Sequence, residues 1–369
     1  MKRLKASWAR AVSGVLLSLL LAAPVQGADP ARMLGPLDVV ARRTLVARAA
    51  GLYACAAIPE TIREVAGVDF FTDPSQSIVD VDAQNRHRAA VKPTEDYARG
   101  VQAIALSYLK FAPADLTIAD CALDWLHDWA KNDGLLDDPS TLAADRQQEN
   151  IIAGLAQAAL LVMTEPRLSP AKVQPVQAWF QKLGTLVKDR WSDPEAQAIG
   201  EEARAWALTT VLLTGIVAQD RGLTTWAIVG LKQFLTRIDA QGFIRGLELR
   251  ERRLRHTHMI ALSALVLAAE TLSRNGQDLY VAEGAALRRL ADLVIRGYQD
   301  PGPFVQKARG IAQSWPPKFQ PYMAAWMEPY YTRFRDARLV PFLSANRHVS
   351  WIQMGGDTTT LYGTKPLPQ

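Results

Sequence analysis

The sequence has few of the residues that most often build metal centres and redox sites. Its 369 residues include two cysteines and five histidines, and no Cys–His spacing of a zinc site is present. His256 and His258 are two positions apart, and such residues point about 200° apart on a helix, so they cannot chelate one ion. We therefore expect no metal, and nothing in the sequence suggests an organic cofactor.

Beyond the N-terminus the sequence also lacks long apolar runs and an excess of one charge. The first ten residues carry four basic side chains and no acidic one, and an apolar run from Val12 to Ala23 follows. About 12 apolar residues are too few for a membrane span of about 20, so we interpret residues 1–27 as a signal peptide, cleaved after Gly27 or Ala28. Without it, 38 basic residues stand against 37 acidic ones, which gives no reason to expect nucleic-acid binding. The mature protein is then periplasmic or secreted, with no further membrane span.

Strand-like alternation and a repeat of fixed length are missing as well, and helical periodicity dominates instead. Residues 98–111 place their apolar side chains on one helical face. Two segments, 72–96 and 339–369, lack this period and are expected to be loops. Further helices are expected at 116–131, 145–164, 169–188, 196–219, 223–239, 256–274, 281–298 and 317–335.

Several of these helices are apolar over most of their surface, which is typical of helices buried between two layers. Trp206–Val217 and Met259–Ala269 are examples. The pattern predicts an all-α fold, an incomplete (α/α) toroid of paired helices, with residues 28–369 as one domain. A helical bundle or an open α-solenoid is the alternative. In an exported chain the two cysteines, Cys55 and Cys121, favour a disulfide, and two buried free thiols are the alternative.

Short motifs along the chain carry a resemblance to a known family. They are Tyr53-Ala54-Cys55, Cys121-Ala122-Leu123-Asp124-Trp125-Leu126, Trp191-Ser192-Asp193, Leu247-Glu248-Leu249-Arg250, Trp326-Met327-Glu328-Pro329-Tyr330 and Gly355-Gly356-Asp357. In this order, between about residue 50 and about residue 360, they resemble the mannuronate-type alginate lyases (polysaccharide lyase family 5). The resemblance implies an α/α toroid, a Cys55–Cys121 disulfide and β-elimination on a uronate polymer.

The resemblance also indicates where the catalytic residues of that family should fall. The family uses an Asn-His pair, an Arg, and a Tyr seven residues after the Arg. The Arg matches Arg250, whereas Glu201 and Glu202 stand at the position of the Asn-His pair and Thr257 at that of the Tyr. A substrate-stacking tryptophan is replaced by Asn150. The chain therefore departs from the family pattern at several positions that carry the chemistry.

β-Elimination needs a group that neutralises the uronate carboxylate, a base and a proton donor. We assign these roles to Arg250, His258 and Tyr330, in that order. The expected substrate-binding residues are Glu201, Glu202, Arg253, His256 and Trp326. Each has a structural alternative: a solvated helix start for the arginines and glutamates, a buried hydrogen-bonded histidine for His258, and packing for Tyr330 and Trp326.

The sequence therefore predicts a periplasmic or secreted, alginate-lyase-like protein that acts on a uronic-acid-containing polysaccharide, by β-elimination with altered specificity. Because the Asn-His pair and the Tyr are missing, a second hypothesis is a catalytically degenerate relative that binds an anionic polysaccharide without cleaving it. A scaffold protein is a third. The partner in the first two cases is an anionic polysaccharide.

Overall fold

A computed structural model describes residues 32–46, 49, 53–111, 116–193, 200–364 and 367, and helices dominate this part of the chain. The predicted signal peptide, residues 1–27, lies outside the described residues. From Met33 onward the chain forms one compact unit. None of the described helices is long and apolar enough to cross a membrane.

Thirteen α-helices are present in the described residues, and three of them, α4, α6 and α8, are buried over most of their length. In chain order they are α1 Val39–Leu45, α2 Val81–Lys110, α3 Leu116–Lys131, α4 Leu142–Val162, α5 Pro170–Ser192, α6 Glu201–Ala218, α7 Arg221–Leu235, α8 Leu254–Ser273, α9 Ala282–Gln299, α10 Gly302–Lys307, α11 Met327–Phe334, α12 Val340–Asn346 and α13 Thr358–Tyr362. Short 3₁₀ turns join several of them, and the turn Leu247–Arg253 leads directly into α8.

The centre of the fold is α6, which packs against α4, α5, α7 and α8. Its residues from Ala205 to Val217 are all buried, and α8 is similarly apolar on all sides, as predicted for helices between two layers. The outer helices α2, α3 and α9 are amphipathic by contrast, with buried residues on one face only. Helix α2 packs on α3 and α4, and α9 packs on α8.

Helix starts follow from capping side chains at several positions. The Thr141 hydroxyl accepts a hydrogen bond from the Ala144 amide and opens α4, and the Asp220 carboxylate does the same for α7. Ser169-Pro170 opens α5 with proline in its first turn, as the sequence predicted. Helix α6 begins differently: Gly200 has φ 143° and makes no side-chain cap, and two glutamates form the first turn.

The predicted loop at 72–96 is wrong from residue 81 onward, because α2 begins there. Its first half is polar, so the apolar period is weak. Other interactions stabilise it: Asp80 caps the start, and the side chain of Lys92 pairs with Asp96 one turn later, as Arg99 does with Glu95. The predicted helix 317–335 is also shorter than expected, since α11 begins only at Met327.

The segment 339–369, also predicted to be a loop, contains α12, α13 and a two-stranded antiparallel sheet, β1 Ser350–Trp351 and β2 Gly356–Asp357. This sheet docks on α2 and α4. Gln102 donates to the Ile352 carbonyl at 2.8 Å, and a Cβ on Gly154 would come within 2.4 Å of that same oxygen. The glycine therefore permits a close approach that holds Trp351 beside the inner helices.

The predicted disulfide between Cys55 and Cys121 is present, with 5.8 Å between the Cα atoms. It fastens the extended segment that begins at Tyr53 onto α3. The indoles of Trp125 and Trp129, one turn apart on α3, donate to the carbonyls of Ala56 and Pro59 in the same segment. These tryptophans belong to the core, and the bond closes a loop of 66 residues.

Candidate active site

A cleft of about 430 Å³ lies where α4, α6 and α8 begin. Arg146 and Asn150 of α4, Glu202 of α6 and His256 of α8 line it. A neighbouring groove, which we call the adjoining groove, is lined by β1 and β2 and shares five residues with the cleft: Gln147, Asn150, Tyr322, Trp351 and Gln353. Because the N-terminal ends of helices carry partial positive charge, the convergence favours an anionic ligand.

Three arginines, Arg146, Arg250 and Arg253, surround the Glu202 carboxylate, and we call them the arginine cluster. Arg250 and Glu202 are both buried and form an ion pair of 3.0 Å. Burial lowers the pKa of Arg253 to about 10, while Glu202 acts to raise it. Two further acidic residues, Asp69 and Glu149, also line the cleft and act on Arg146, so the arginines are largely balanced by carboxylates.

The loop 71–79 lies against this cluster, and a bridge between Phe71 and Val79 closes it. Arg250 donates to the Ser75 carbonyl at 3.0 Å, and Arg253 to the Gln76 carbonyl at 2.9 Å. The guanidinium of Arg253 also stacks 4.5 Å above the Phe71 ring. The arginines therefore hold the loop on the cleft and leave it few ways to move independently.

His256 and Tyr322 form a hydrogen-bonded pair in the cleft, with 3.0 Å between Nε2 and the phenol oxygen. Burial, with Arg253 and Arg255 nearby, lowers the pKa of His256 to about 3, so its imidazole is neutral at physiological pH. Burial raises the pKa of Tyr322, which therefore keeps its proton. A neutral base and a protonated phenol thus share one hydrogen bond at the edge of the arginine cluster.

Aromatic rings form the remaining wall of the cleft. The Trp206 and Trp351 rings meet edge to face at 5.2 Å, and Tyr322 lies 5.6 Å from Trp351. The Trp206 indole donates to the Ile260 carbonyl at 3.1 Å and is fixed by it. Trp351 is only partly buried, so its ring can pack against a ligand in the cleft or in the adjoining groove.

The structure brings together Glu202, Arg250, Arg253 and His256 of the predicted site. The structural alternative given for the two glutamates, a solvated helix start, is wrong, because Glu201 and Glu202 are only 7 % and 6 % exposed. Glu201 turns toward Arg237, with which it pairs at 2.7 Å, and burial raises its pKa. Of the two carboxylates, Glu202 is the one that lines the cleft.

The predicted role of His258 as a base does not fit its position. The residue is fully buried, and its Nε2 accepts a hydrogen bond from the Ile244 amide at 3.0 Å. Its Nδ1 lies 2.7 Å from the Leu254 carbonyl and donates to it. Since both nitrogens are used by the backbone, and the ring packs between Phe243 and Phe304, His258 is a structural histidine.

Tyr330 and Trp326, the predicted proton donor and sugar-binding ring, also lie away from the cleft. Trp326 is fully buried, and its indole donates to the Tyr298 hydroxyl at 3.3 Å. Tyr330 packs against Tyr280 and Phe334. The packing alternative therefore describes both residues, and the phenol of Tyr322 takes the place beside the arginines.

Sequence reasoning missed Arg146 and ranked Tyr322 behind Tyr330. A signal for Arg146 existed, because it precedes Asn150 by four residues and so shares its helical face. For Tyr322 no comparable signal existed, since it lies in a short 3₁₀ turn between two irregular segments. Only the tertiary fold brings this turn to the first turn of α8.

Comparisons with known proteins identify the family of this chain. A family model described as "Alginate lyase" matches residues 80–304. A protein of Stenotrophomonas maltophilia named polysaccharide lyase is 28% identical over 330 residues, which cover 88% of this chain and 96% of that protein. An alginate lyase of Azotobacter vinelandii is 27% identical over 372 residues, 95% of this chain and 94% of the relative.

Solved structures extend the likeness to the fold. A variant of alginate lyase A1-III complexed with a tetrasaccharide has a TM-score of 0.76 at 24% identity, covering 90% of this chain and 95% of that one. Alginate lyase A1-III from Sphingomonas species A1 has a TM-score of 0.74 at 22% identity, covering 90% and 96%. The match confirms the predicted all-α toroid.

Proposed function

This chain belongs to the alginate lyase family, and we propose that it is an active, exported lyase that cleaves a uronic-acid-containing polysaccharide by β-elimination. The observation that carries the proposal is the His256–Tyr322 hydrogen bond of 3.0 Å beside Arg253, in a cleft with two tryptophans. The family relatives are named as lyases, and one solved neighbour holds a tetrasaccharide, which supports an oligosaccharide as the ligand.

The arginine cluster supplies the first requirement of the reaction. Removing the proton at C5 leaves negative charge on the neighbouring carboxylate, and a guanidinium can hold that carboxylate through two hydrogen bonds. Arg250, the residue predicted for this role, is buried in its ion pair with Glu202, whereas Arg146 and Arg253 are partly exposed and line the cleft. Arg253 is the one of these two that acts on the pKa of His256. We assign it to bind the carboxylate of the sugar that loses the proton.

The His256–Tyr322 pair supplies the proton transfers. Tyr322 passes its proton to the neutral Nε2 of His256, and the phenolate takes the proton from C5. The electron pair left at C5 forms the C4–C5 double bond as the bond to the O4 leaving group breaks, and the phenol returns a proton to O4. His256 then restores the proton to Tyr322, so the cycle is balanced.

Binding of the substrate assists the first of these steps. Burial, and after it Arg253 and Arg255, lower the pKa of His256, which makes it a weak base in the empty cleft. A uronate carboxylate on Arg253 offsets that positive charge, and it therefore raises the pKa of His256 toward its ordinary value. The proton transfer therefore costs less free energy when an anionic sugar occupies the cleft than when the cleft is empty.

Glu202 supports an altered specificity. It stands where the family has neutral or cationic side chains, and a second carboxylate a few ångströms away would repel it by about 1–4 kcal/mol in a half-exposed cleft. Arg146 and Arg253, which line the same cleft, offset part of this repulsion. Glu202 therefore limits where along the cleft the carboxylates of a polymer can lie, and so selects among polymers.

Product formation tests the proposal directly. The mature protein would be incubated with polymannuronate, polyguluronate and polyglucuronate, and the ultraviolet absorbance of the new C4–C5 double bond followed. We expect the absorbance to grow with at least one polymer and to depend on Arg253. Saturable, salt-sensitive binding of the polymers without any growth of absorbance would instead support the degenerate, non-cleaving alternative.

Export is part of the proposal and has its own test. The charged N-terminus and the short apolar run after it support a cleaved signal, and the disulfide suits an oxidising compartment. Fractionation of cells that express the full chain should recover the protein outside the cytoplasm with its N-terminus at Ala28 or Asp29. Recovery in the cytoplasm with residue 1 intact would contradict this part.

A further inference from the structure

A second groove, of about 930 Å³, lies between α9, α10 and α11. It shares no lining residue with the cleft among the residues that the structure describes. The two sites lie on either side of the first turns of α8: His256 faces the cleft, whereas His258 packs on Phe243, which lines the groove. No step of the proposed reaction uses this groove.

The groove is strongly basic. Five cations and two acidic side chains, Asp292 and Asp336, line it. Since Lys307 also pairs with Asp239 at 3.4 Å, an excess of two positive charges remains. The cations lie on three different elements and are directed into one volume. They are Arg288, Arg289, Arg296, Lys307 and Arg338.

Two of these cations bond to groups other than carboxylates and so keep their charge available. Arg289 donates from each of its three guanidinium nitrogens to backbone carbonyls, those of Asp239, Ile238 and Gly284. Arg288 lies 4.9 Å above the Phe334 ring and is largely exposed. A guanidinium held in this way can still offer its outer N–H groups to an anion.

Aromatic rings alternate with the cations along the groove. Phe243 carries Lys307 at 4.9 Å above its ring, and Tyr330 and Phe334 pack together beside Arg288. Sugar rings pack on aromatic faces through their C–H surfaces, and carboxylates pair with guanidinium groups. Phe243 and Tyr330 are buried and Phe334 is partly exposed, so the groove offers one accessible ring among several cations. This combination suits a chain of charged sugars better than a small inorganic anion.

From these observations we propose that the groove is a second binding site for the anionic polysaccharide, which holds another segment of the polymer that occupies the cleft. The identity of this ligand rests on the proposed function. The volume suits a short oligosaccharide, since ligand sites span about 300–1,000 Å³. A polymer long enough to occupy both sites would bind more tightly than a short one, because the second contact is intramolecular.

Chain-length dependence of binding tests the groove. Arg288→Ser combined with Arg296→Ser removes two exposed cations, of which Arg296 pairs with Asp292 at 3.1 Å, so the double variant also leaves that carboxylate unpaired in the groove. Arg221→Ser, an exposed arginine at the start of α7, is the matched control. All would be made in a Tyr322→Phe background so that the ligand stays intact, and titrated with long polymannuronate and with its tetramer. Thermal unfolding would verify that every variant is folded.

The double variant should lose roughly two- to thirtyfold in affinity for the long polymer, as expected for two exposed charge contacts, and nothing for the tetramer. The control should retain both affinities. Unchanged affinity for the long polymer, or an equal loss for the tetramer, would overturn the groove proposal while leaving product formation by the cleft intact.

A single-stranded oligonucleotide of similar charge distinguishes a sugar site from a general basic patch. The groove proposal expects the oligonucleotide to bind more weakly than polymannuronate and to be little affected by the double variant. If the oligonucleotide binds as tightly as polymannuronate, and the double variant weakens the binding of both equally, the groove is a non-specific anion surface and the proposal fails. Binding of neither polymer would overturn the proposed function together with the groove.

Discussion

The start of α8 carries two histidines in opposite surroundings. His256 is partly exposed, faces the cleft and bonds to a phenol, whereas His258 is fully buried and bonds to two backbone groups. Both have a lowered pKa because burial disfavours the imidazolium. The comparison teaches that an unusual pKa does not identify a functional histidine, and that the partner of the ring does.

The comparison predicts its largest effect at His256. Replacing it by Gln keeps a polar side chain but removes the group that accepts the Tyr322 proton, so kcat should fall about 10²–10⁴-fold, the usual contribution of a positioned acid or base. Steady-state kinetics on the preferred polymer measure this. The unfolding free energy should change little, since His256 is only half-buried, and a variant that keeps its kcat would remove His256 from the mechanism.

At His258 the effect should fall on stability instead. His258→Gln cannot satisfy both the Ile244 amide and the Leu254 carbonyl in the same geometry, and we expect a loss of about 2–4 kcal/mol in the free energy of unfolding. Denaturant titration measures it. The fraction that remains folded should cleave substrate at nearly the wild-type rate; a large loss of kcat with unchanged stability would reverse the two assignments.

How far the sequence alone reaches can be judged from the same region. Periodicity predicted the buried helices around Trp206 and Met259, because an apolar surface on all sides has few alternatives to a position between layers. It also predicted that His256 and His258 point apart. It could not decide which of them faces the cleft, since that depends on where Phe243, Phe304 and Tyr322 arrive from distant parts of the chain.

The ion pair between Glu202 and Arg250 was beyond prediction for the same reason. The two residues are 48 positions apart, and each alone was consistent with a solvated helix start. Their burial depends on how α6 packs against α8 and so brings the turn Leu247–Arg253, which carries Arg250, to the start of α6. No local pattern encodes this contact. The resemblance located the right segments, but the roles within them depend on tertiary contacts.

Acid should reduce the contribution of His258 to the stability of the folded protein. The pKa of His258 is lowered to about 4 from 6.5, so the unfolded chain takes up a proton between these values and the folded chain does not. The contribution of His258 to stability is therefore complete above about pH 6.5 and is lost as the pH falls toward 4, by on the order of 3 kcal/mol.

The measurement is the difference in unfolding free energy between the wild type and His258→Gln. It should narrow as the pH is lowered from 7 to 4, while the titration of His256, present in both proteins, cancels. A difference that stays constant over this range would mean that the His258 pKa is not lowered in the folded state.

The preference of the enzyme between polymers should depend on Glu202 and not on its neighbour Glu201. Glu202→Gln removes the carboxylate in the cleft and should change the ratio of kcat/KM between two polymers by about tenfold, in line with roughly 1–2 kcal/mol of lost repulsion. Glu201→Gln is the matched control, since Glu201 pairs with Arg237 outside the cleft, and it should leave the ratio unchanged. If Glu202→Gln and Glu201→Gln gave the same ratio of kcat/KM between the two polymers, selection by Glu202 would be contradicted.

The smallest effect is expected at the aromatic wall. Trp351→Leu removes the partly exposed ring and should raise KM about two- to tenfold with kcat nearly constant, because stacking contributes about 0.5–1.5 kcal/mol. Trp226→Leu, in a separate groove beside Trp191, is the control. A fall in kcat without a change in KM would place Trp351 in the chemistry instead.

The most direct test compares two tyrosines that each lose one oxygen atom. Turnover of the preferred polymer would be measured for Tyr322→Phe, in the cleft, and for Tyr330→Phe, in the second groove. The account predicts that Tyr322→Phe loses about 10²–10⁴-fold in kcat while Tyr330→Phe keeps turnover within a few-fold. Normal turnover by Tyr322→Phe, or a loss confined to Tyr330→Phe, would contradict the assignment of the reaction to the cleft.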